Sequence, residues 1–497
     1  MQAGQVPVLA ATAPVGGTAV VAVPVQRLAT SPARPDRLLN LALALASITH
    51  LMAIYALFAL LALCSAQPLF FASTLCGGGS GTANGVGTNA QFNGLTSLSF
   101  WNASSSLLVG DAGNRKLRQV FMNGTVRTLL GGGASGSQLG NVNGVGTAAL
   151  FGFLYHGIAD ALGNIYAADA THMTLRMAYP NLTTVTLSSA FNSPNGMNFD
   201  NSGSLVMPNK GTHQIYRVSG IPSSFSLAVV AGSGIQGYAD GAALSARFFN
   251  PVAAVVNSSD NSIFVVDQAN NLIRRIAASV VSTFAGGGGT IAAGFSNGIG
   301  TAATFNWPFG ATLWSNVLFV ADLNNNAIRA VSADKIVSTI AGTGIAGASN
   351  GMALLATFFR PQGITSDLHG NLFVADNSNN LVRRLTPCTQ GAYMTSNGPV
   401  ICPSGSFCPL CSTNWTLCPA GTFASAAGST SCQQCPGRGN YCPDGSGAPK
   451  PCPYQVPPSG GWGALQVQGP AFHVETASCL NHCFWNFTSG DGVLSKC

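Results

Sequence analysis

Charge is what this sequence has least of. Its 497 residues carry 21 Lys and Arg and 15 Asp and Glu, 7% in all, where ordinary soluble domains hold roughly a quarter. Glu occurs once, as Glu475, and nothing gathers the net charge of +6 into a run of Lys or Arg. A nucleic-acid partner is therefore not expected. Long apolar runs are equally scarce. Only Leu41–Cys64 approaches the length of a membrane span, which excludes a polytopic membrane protein despite 47% hydrophobic residues. What is abundant is 60 Gly and 26 Pro. They cut the chain into apolar stretches of about four to seven residues, the pattern of strands and turns.

Residues 1–36 read as a leader or cytoplasmic segment and 37–66 as a signal peptide or signal anchor. Arg27, Arg34 and Arg37 precede the apolar run, and the next basic residue is Arg115. That asymmetry places everything after residue 66 outside the cell or in a lumen. Cys64-Ser65-Ala66 offers small residues for cleavage. The expectation is a secreted chain, or a single-pass type II surface protein if the span is retained, with membrane contact only through this segment. Sequons at Asn102, Asn123, Asn181, Asn257, Asn414 and Asn486 fit export.

Self-similarity is the strongest signal, with a period of 40 to 58 residues over 68–387. Each copy holds an apolar strand ending in Asp or Asn, then an apolar residue six positions later, followed by Arg. The anchors are Asp111 with Arg118, Asp169 with Arg176, Asn209 with Arg217, Asp267 with Arg274, Asp322 with Arg329, and Asp376 with Arg383. Upstream lies Phe-x-x-Pro or a variant beginning at Phe92, Phe151, Phe191, Phe248, Phe305 or Phe358. Downstream comes a strand such as Val281-Ser-Thr-Phe-Ala285 and a Gly-rich loop. Four short strands per copy, a to d, make a propeller blade. Repeat six stops before its d strand, and Ala72-Ser-Thr-Leu-Cys76 supplies a match at the other end. The fold class expected is thus all-β, a six-bladed propeller closed by its N-terminal strand, which hides an open edge.

These residues resemble the NHL-repeat propeller family; Val374-Ala-Asp376 followed by Asn379-Asn-Leu-Val-Arg383 is similar to its repeat signature. Within each repeat, the Asp is expected to cap the b–c turn and pair with the Arg, as scaffold.

Of 14 Cys, twelve fall after residue 387: Cys388, Cys402, Cys408, Cys411, Cys418, Cys432, Cys435, Cys442, Cys452, Cys479, Cys483 and Cys497. An even number in an exported segment reads as a disulfide framework. The Cys-Pro-x-Gly-x-Phe units starting at Cys402 and Cys418 resemble ephrin-receptor-like cysteine-rich repeats, giving a module over 388–453 and a Pro/Gly linker and tail over 454–497. Cys432 and Cys435 are expected in disulfides rather than on zinc. Cys76 reads as a small buried residue, with no bridge to Cys388.

Catalysis needs converging titratable groups, and no such set stands out. His156, His172, His213 and His369 are the propeller's histidines, and His172, His213 and His369 fall in turns. No catalytic residue, metal or cofactor is expected. The d–a loops carry Asn84-Gly85, Asn143-Gly144, Asp240-Gly241, Asn297-Gly298 and Asn350-Gly351, and repeat three lacks this loop. Strand alternation puts d–a loops and b–c turns on one face (the loop face). The sequons Asn102, Asn123, Asn181 and Asn257 lie on the other (the sequon face). The loop face is the candidate surface for a protein or glycan ligand. The rival readings are a secreted hydrolase or lyase with a metal in the central channel, and a structural wall or matrix component.

Overall fold

Short apolar strands punctuated by Gly and Asn turns cannot bury themselves singly, and here they stack as blades around a ring. The computed structural model describes residues 69–287, 291–395, 398–436 and 440–451. The leader, the Leu41–Cys64 run, Asn486, Glu475 and the cysteines Cys452, Cys479, Cys483 and Cys497 lie outside the described residues.

Strands a to d of blade one are Leu95–Trp101, Ser106–Asp111, Lys116–Phe121 and Thr125–Gly131. Blade two has Leu154–Ala159, Ile165–Asp169, Thr174–Ala178 and Thr184–Ser188. Blade three has Asn198–Phe199, Leu205–Asn209, Gln214–Ser219 and Ser226–Ala231. Blade four has Pro251–Val256, Ile263–Asp267, Leu272–Ala277 and Val280–Gly286. Blade five has Pro308–Trp314, Val317–Asp322, Ala327–Val331 and Ile336–Ala341. Blade six takes Pro361–Ser366, Leu372–Asp376 and Leu381–Pro387 from the end of the propeller and Phe70–Cys76 from its start. Phe71 pairs with Thr386 and Ala72 with Leu385. The fold is therefore the expected all-β, six-bladed propeller closed by its N-terminal strand.

Both faces of each blade are covered by a neighbour, so the b strands are buried almost throughout. The core lies between blades rather than in one centre. Phe319 and Ala321 of blade five, for example, pack with Ile364, Leu372 and Val374 of blade six.

Four blades carry a fifth strand that the repeat pattern does not announce. Gly85–Val86, Gly241–Ala242, Gly298–Ile299 and Gly351–Met352 pair antiparallel with the d strands of blades one, four, five and six. The Asn-Gly and Asp-Gly dipeptides thus sit at blade edges, where each short strand covers an otherwise open d strand. In blade two Val145 makes a single bridge to Thr183.

After Pro387 the chain forms small two-residue to four-residue hairpins. Four disulfides hold them: Cys388–Cys411, Cys402–Cys408, Cys418–Cys432 and Cys435–Cys442. Cys432 and Cys435 belong to different bridges. Cys76 is free and buried, apart from Cys388. Among the described residues no helix is long and apolar enough to cross a membrane.

Candidate recognition face and central channel

The loop face is built on a clasp repeated around the ring. In blade five, Asp322 Oδ1 accepts from the Asn306 backbone N–H at 2.8 Å, while Oδ2 accepts from Asn325 Nδ2 at 2.8 Å and Arg329 at 2.9 Å. Arg329 also donates to the carbonyls of Thr304 and Ser296 and to Asn297 Oδ1. Its guanidinium lies between the rings of Phe305 and Phe295, 5.3 and 5.1 Å from their centroids. One buried ion pair therefore ties the b–c turn, strand c and the d–a loop together.

Asp111–Arg118, Asp267–Arg274 and Asp376–Arg383 repeat the pair at 2.8 to 3.0 Å, with all these side chains buried. The expected cap on a backbone N–H of the b–c turn is made in blade two, where His172 donates to Asp169 Oδ1 at 3.2 Å, and is displaced in the other blades. The anchor oxygen serves a backbone N–H just after the recurring Phe, at Asn93, Gly152, Asn192, Phe249, Asn306 or Phe359, while in blades one, four, five and six the turn contributes an Asn side chain. Burial outweighs these donors and the arginine. It pushes Asp267 and Asp322 up to about 6, and raises Asp111 and Asp376 as well.

Two blades depart from the clasp. In blade two, Asp169 pairs with His172 at 2.9 Å, and Arg176 turns to the Leu150 and Val142 carbonyls and Asn143. In blade three the assignment of Arg217 as anchor is corrected. Arg274 pairs across to Val265, two residues before its Asp; the residue in that register in blade three is Tyr216, opposite Met207. Tyr216 packs edge-on to Phe191 where other blades set Arg over Phe. Because side chains alternate along a strand, Arg217 projects the other way and pairs with Asp200 at 2.8 Å.

The dipeptide residues face inward as well as out. Asn84, Asn143, Asn297 and Asn350 each accept from an anchor arginine at 2.7 to 2.9 Å. Asp240 accepts from both Nε and Nη2 of Arg274. Gly85, Gly144, Gly241, Gly298 and Gly351 follow them into the blade edge. The outward surface of this face comes instead from neighbours of the loops. Phe153, Trp307 and Phe359, just ahead of the a strands, are 47%, 38% and 40% exposed. Trp307 holds a left-handed φ of 57°, uncommon for a bulky residue, and its N–H donates to Asn271 Oδ1 at 2.8 Å. Sequence reasoning passed over these rings because it tracked Gly and Asn rather than the variable residues inside Phe-x-x-Pro.

The a strands enclose the central channel. A Cβ on Gly363 would stand 2.5 Å from Ser97 Cα, and one on Gly310 2.4 Å from the Gln362 carbonyl, so neighbouring backbones touch. A cavity of about 70 Å³ remains. Tyr155 and Phe309, from opposite blades, meet across it with ring centroids 6.3 Å apart. His156 and Tyr155 are the titratable groups lining it; burial alone drives the imidazole down to about 4, hence neutral near pH 7. Among the described residues no three His, Cys, Asp or Glu side chains gather as a metal site.

On the sequon face Asn102, Asn123 and Asn181 are exposed, and Asn257 partly so. Asn414, in the disulfide module, is exposed too. Asn123, Asn181 and Asn257 form Asx turns in which Oδ1 accepts the backbone N–H two residues on, at 3.0 to 3.1 Å. His369 donates its N–H to Asp367 in an a–b turn.

No family model matches the chain. It is 26% identical over 322 residues to Protein SUPPRESSOR OF QUENCHING 1, chloroplastic, of Arabidopsis thaliana, and the match spans 62% of this chain but about a quarter of that protein. Among solved structures it is similar to a protein of unknown function from Bacteroides thetaiotaomicron, at 16% identity and TM-score 0.51, covering 64% of this chain and 76% of that one. It is also similar to an auxiliary nutrient binding protein from Bacteroides ovatus, at 15% identity and TM-score 0.51, covering 65% and 77%. At these identities the likeness concerns the propeller fold.

Proposed function

We propose that this is a secreted or cell-surface recognition protein that binds a protein or glycan partner through the loop face, without catalysis. The observation that carries the reading is the set of exposed rings, Phe153, Trp307 and Phe359, mounted ahead of the a strands on a clasped scaffold. Rigid presentation of aromatic side chains lowers the entropic cost of binding. The resemblance to NHL repeats, the resemblance of the disulfide module to ephrin-receptor-like repeats, and the binding role named for the Bacteroides ovatus protein agree with it. The Asx-turn sequons support glycans on the opposite face, leaving the loop face clear.

The test is to screen the full chain against panels of immobilised polysaccharides and extracellular proteins, then repeat with Trp307→Ser/Phe359→Ser. Loss of the captured partner is expected with that variant and not with Leu368→Ser, an exposed sequon-face control. Equal behaviour of the two variants would refute the assignment of the face.

A further inference from the structure

Charges outside the clasps are sorted by face. Asp160, Asp200, Asp260 and Asp367 lie in or at the edge of a–b turns and Asp334 in a c–d turn, all on the sequon face. Arg217 and Arg275 pair there with Asp200 and Asp260 at 2.8 and 2.6 Å. Arg127, Lys335 and Arg384 lie toward the same side. Cations and carboxylates balance on that face.

The loop side differs. Arg115 and Lys210 sit in b–c turns, Lys116 opens a c strand, and Arg247 and Arg360 lie in d–a connections. Outside the anchor aspartates, Asp169 included, the carboxylate there among the described residues is Asp240, already held by buried Arg274. Arg247 and Arg360 are exposed. Lys210 is half-buried in the b–c turn of blade three, where its backbone N–H donates to the Ser193 carbonyl of the short d–a connection at 3.2 Å. Burial lowers its pKa with no carboxylate to counter it, so an incoming anion would find a partly desolvated cation without a partner.

We propose that the loop face binds an acidic polysaccharide, one whose sugars carry carboxylates or sulfates. This rests on the recognition reading above and names its ligand class. Lys210, Arg247 and Arg360 stand singly at separate places around the ring, spaced by exposed rings and Gly loops. Such spacing suits a polymer with charge on separate sugars and apolar ring faces between, and suits less well the closely spaced phosphates of nucleic acid.

The experiment measures binding of the full chain to polygalacturonate, dextran sulfate, an uncharged dextran, polyglutamate and single-stranded DNA. Binding to an acidic polysaccharide is expected, weakening by about tenfold as salt screens it. Arg247→Ser/Arg360→Ser and Lys210→Met should each weaken it with an unchanged melting temperature, whereas Arg127→Ser/Lys335→Ser should not. Capture of uncharged dextran or a neutral protein, lost with Trp307→Ser/Phe359→Ser but indifferent to the charge variants, would overturn this inference and leave the recognition reading standing. Equal binding to polyglutamate or DNA would overturn the polysaccharide assignment. Indifference of every probe to both sets of loop-face variants would overturn both.

Discussion

Asn380, in the last blade, accepts a 2.8 Å hydrogen bond from the backbone N–H of Gly94 in the first. Asn271 does the same for Trp307 and Asn326 for Arg360, at 2.8 and 2.9 Å, and His213 Nδ1 stands in toward Asn250 at 3.4 Å. Each donor belongs to the next blade around the ring. The joint between the propeller's last and first blades is thus made like the internal joints. The acceptor sits in left-handed backbone, with φ of 49° to 57°, a conformation Asn tolerates better than most residues.

Removing the joint in blade six should therefore cost twice, once for the bond and once for the backbone. Asn380→Ala is expected to lose about 1–2 kcal/mol. Blades one and two place Arg115 and Met173 at the equivalent position, with φ of 57° and 58°. Met173→Asn should gain about 0.5–1 kcal/mol. Denaturant melts of the two variants check this, and a destabilised Met173→Asn would contradict it.

The clasp predicts that Arg and Lys are not interchangeable at position 329. A lysine cannot reach the Thr304 and Ser296 carbonyls, Asn297 and Asp322 together, nor lie flat between Phe305 and Phe295. Arg329→Lys should cost about 3 kcal/mol or more, as for a broken buried pair. Arg217→Lys, where the arginine is 35% exposed and makes one ion pair with Asp200, should change stability by less than about 1 kcal/mol. Similar melting shifts for both would show that the clasp carries no special weight.

The ring, the blade count and the Asp–Arg anchors were legible because they recur at fixed spacing. What recurred without its partner in view was misread. Asp322 caps Asn306, and Arg329 holds Asn297 about thirty residues upstream, distances over which no local rule speaks. Arg217 looked like an anchor because an arginine stood near the right place, yet one residue of offset turns a strand side chain to the opposite face. The exposed rings at Phe153, Trp307 and Phe359 share neither a single residue type nor a single position within Phe-x-x-Pro, so repetition could not flag them.

Protonation should make the propeller firmer before it weakens it. Asp267 and Asp322 have folded pKa values of about 6, above the unfolded carboxylate value. Their contribution is fully present below that unfolded value and is lost as pH rises through about 6. His156 opposes them. Its folded pKa of about 4 is depressed, so stability falls between the unfolded imidazole value and pH 4. Melting temperatures from pH 7 to 5 should rise in His156→Gln, and rise less in the native chain. A fall in His156→Gln over that range would exclude the aspartate effect.

Cysteine chemistry should separate two populations. Non-reducing peptide mapping is expected to recover Cys388–Cys411, Cys402–Cys408, Cys418–Cys432 and Cys435–Cys442. Cys76 is fully buried, and burial raises its thiol pKa well above the usual range, so alkylating reagents should modify it only after denaturation. Rapid labelling of Cys76 in the native chain would mean that the closing strand opens readily.

That strand also sets the order of events at birth. Phe70–Cys76 pairs with residues about three hundred positions later in the chain, and ribosomes add roughly 5–20 residues per second. The segment Phe-Phe-Ala-Ser-Thr-Leu-Cys must then wait on the order of tens of seconds for its partner. Through that time it is an apolar, β-prone segment without its partner, the kind that recruits other chains. Folding of this protein should accordingly depend on a chaperone that shields its first strand until its last blade arrives.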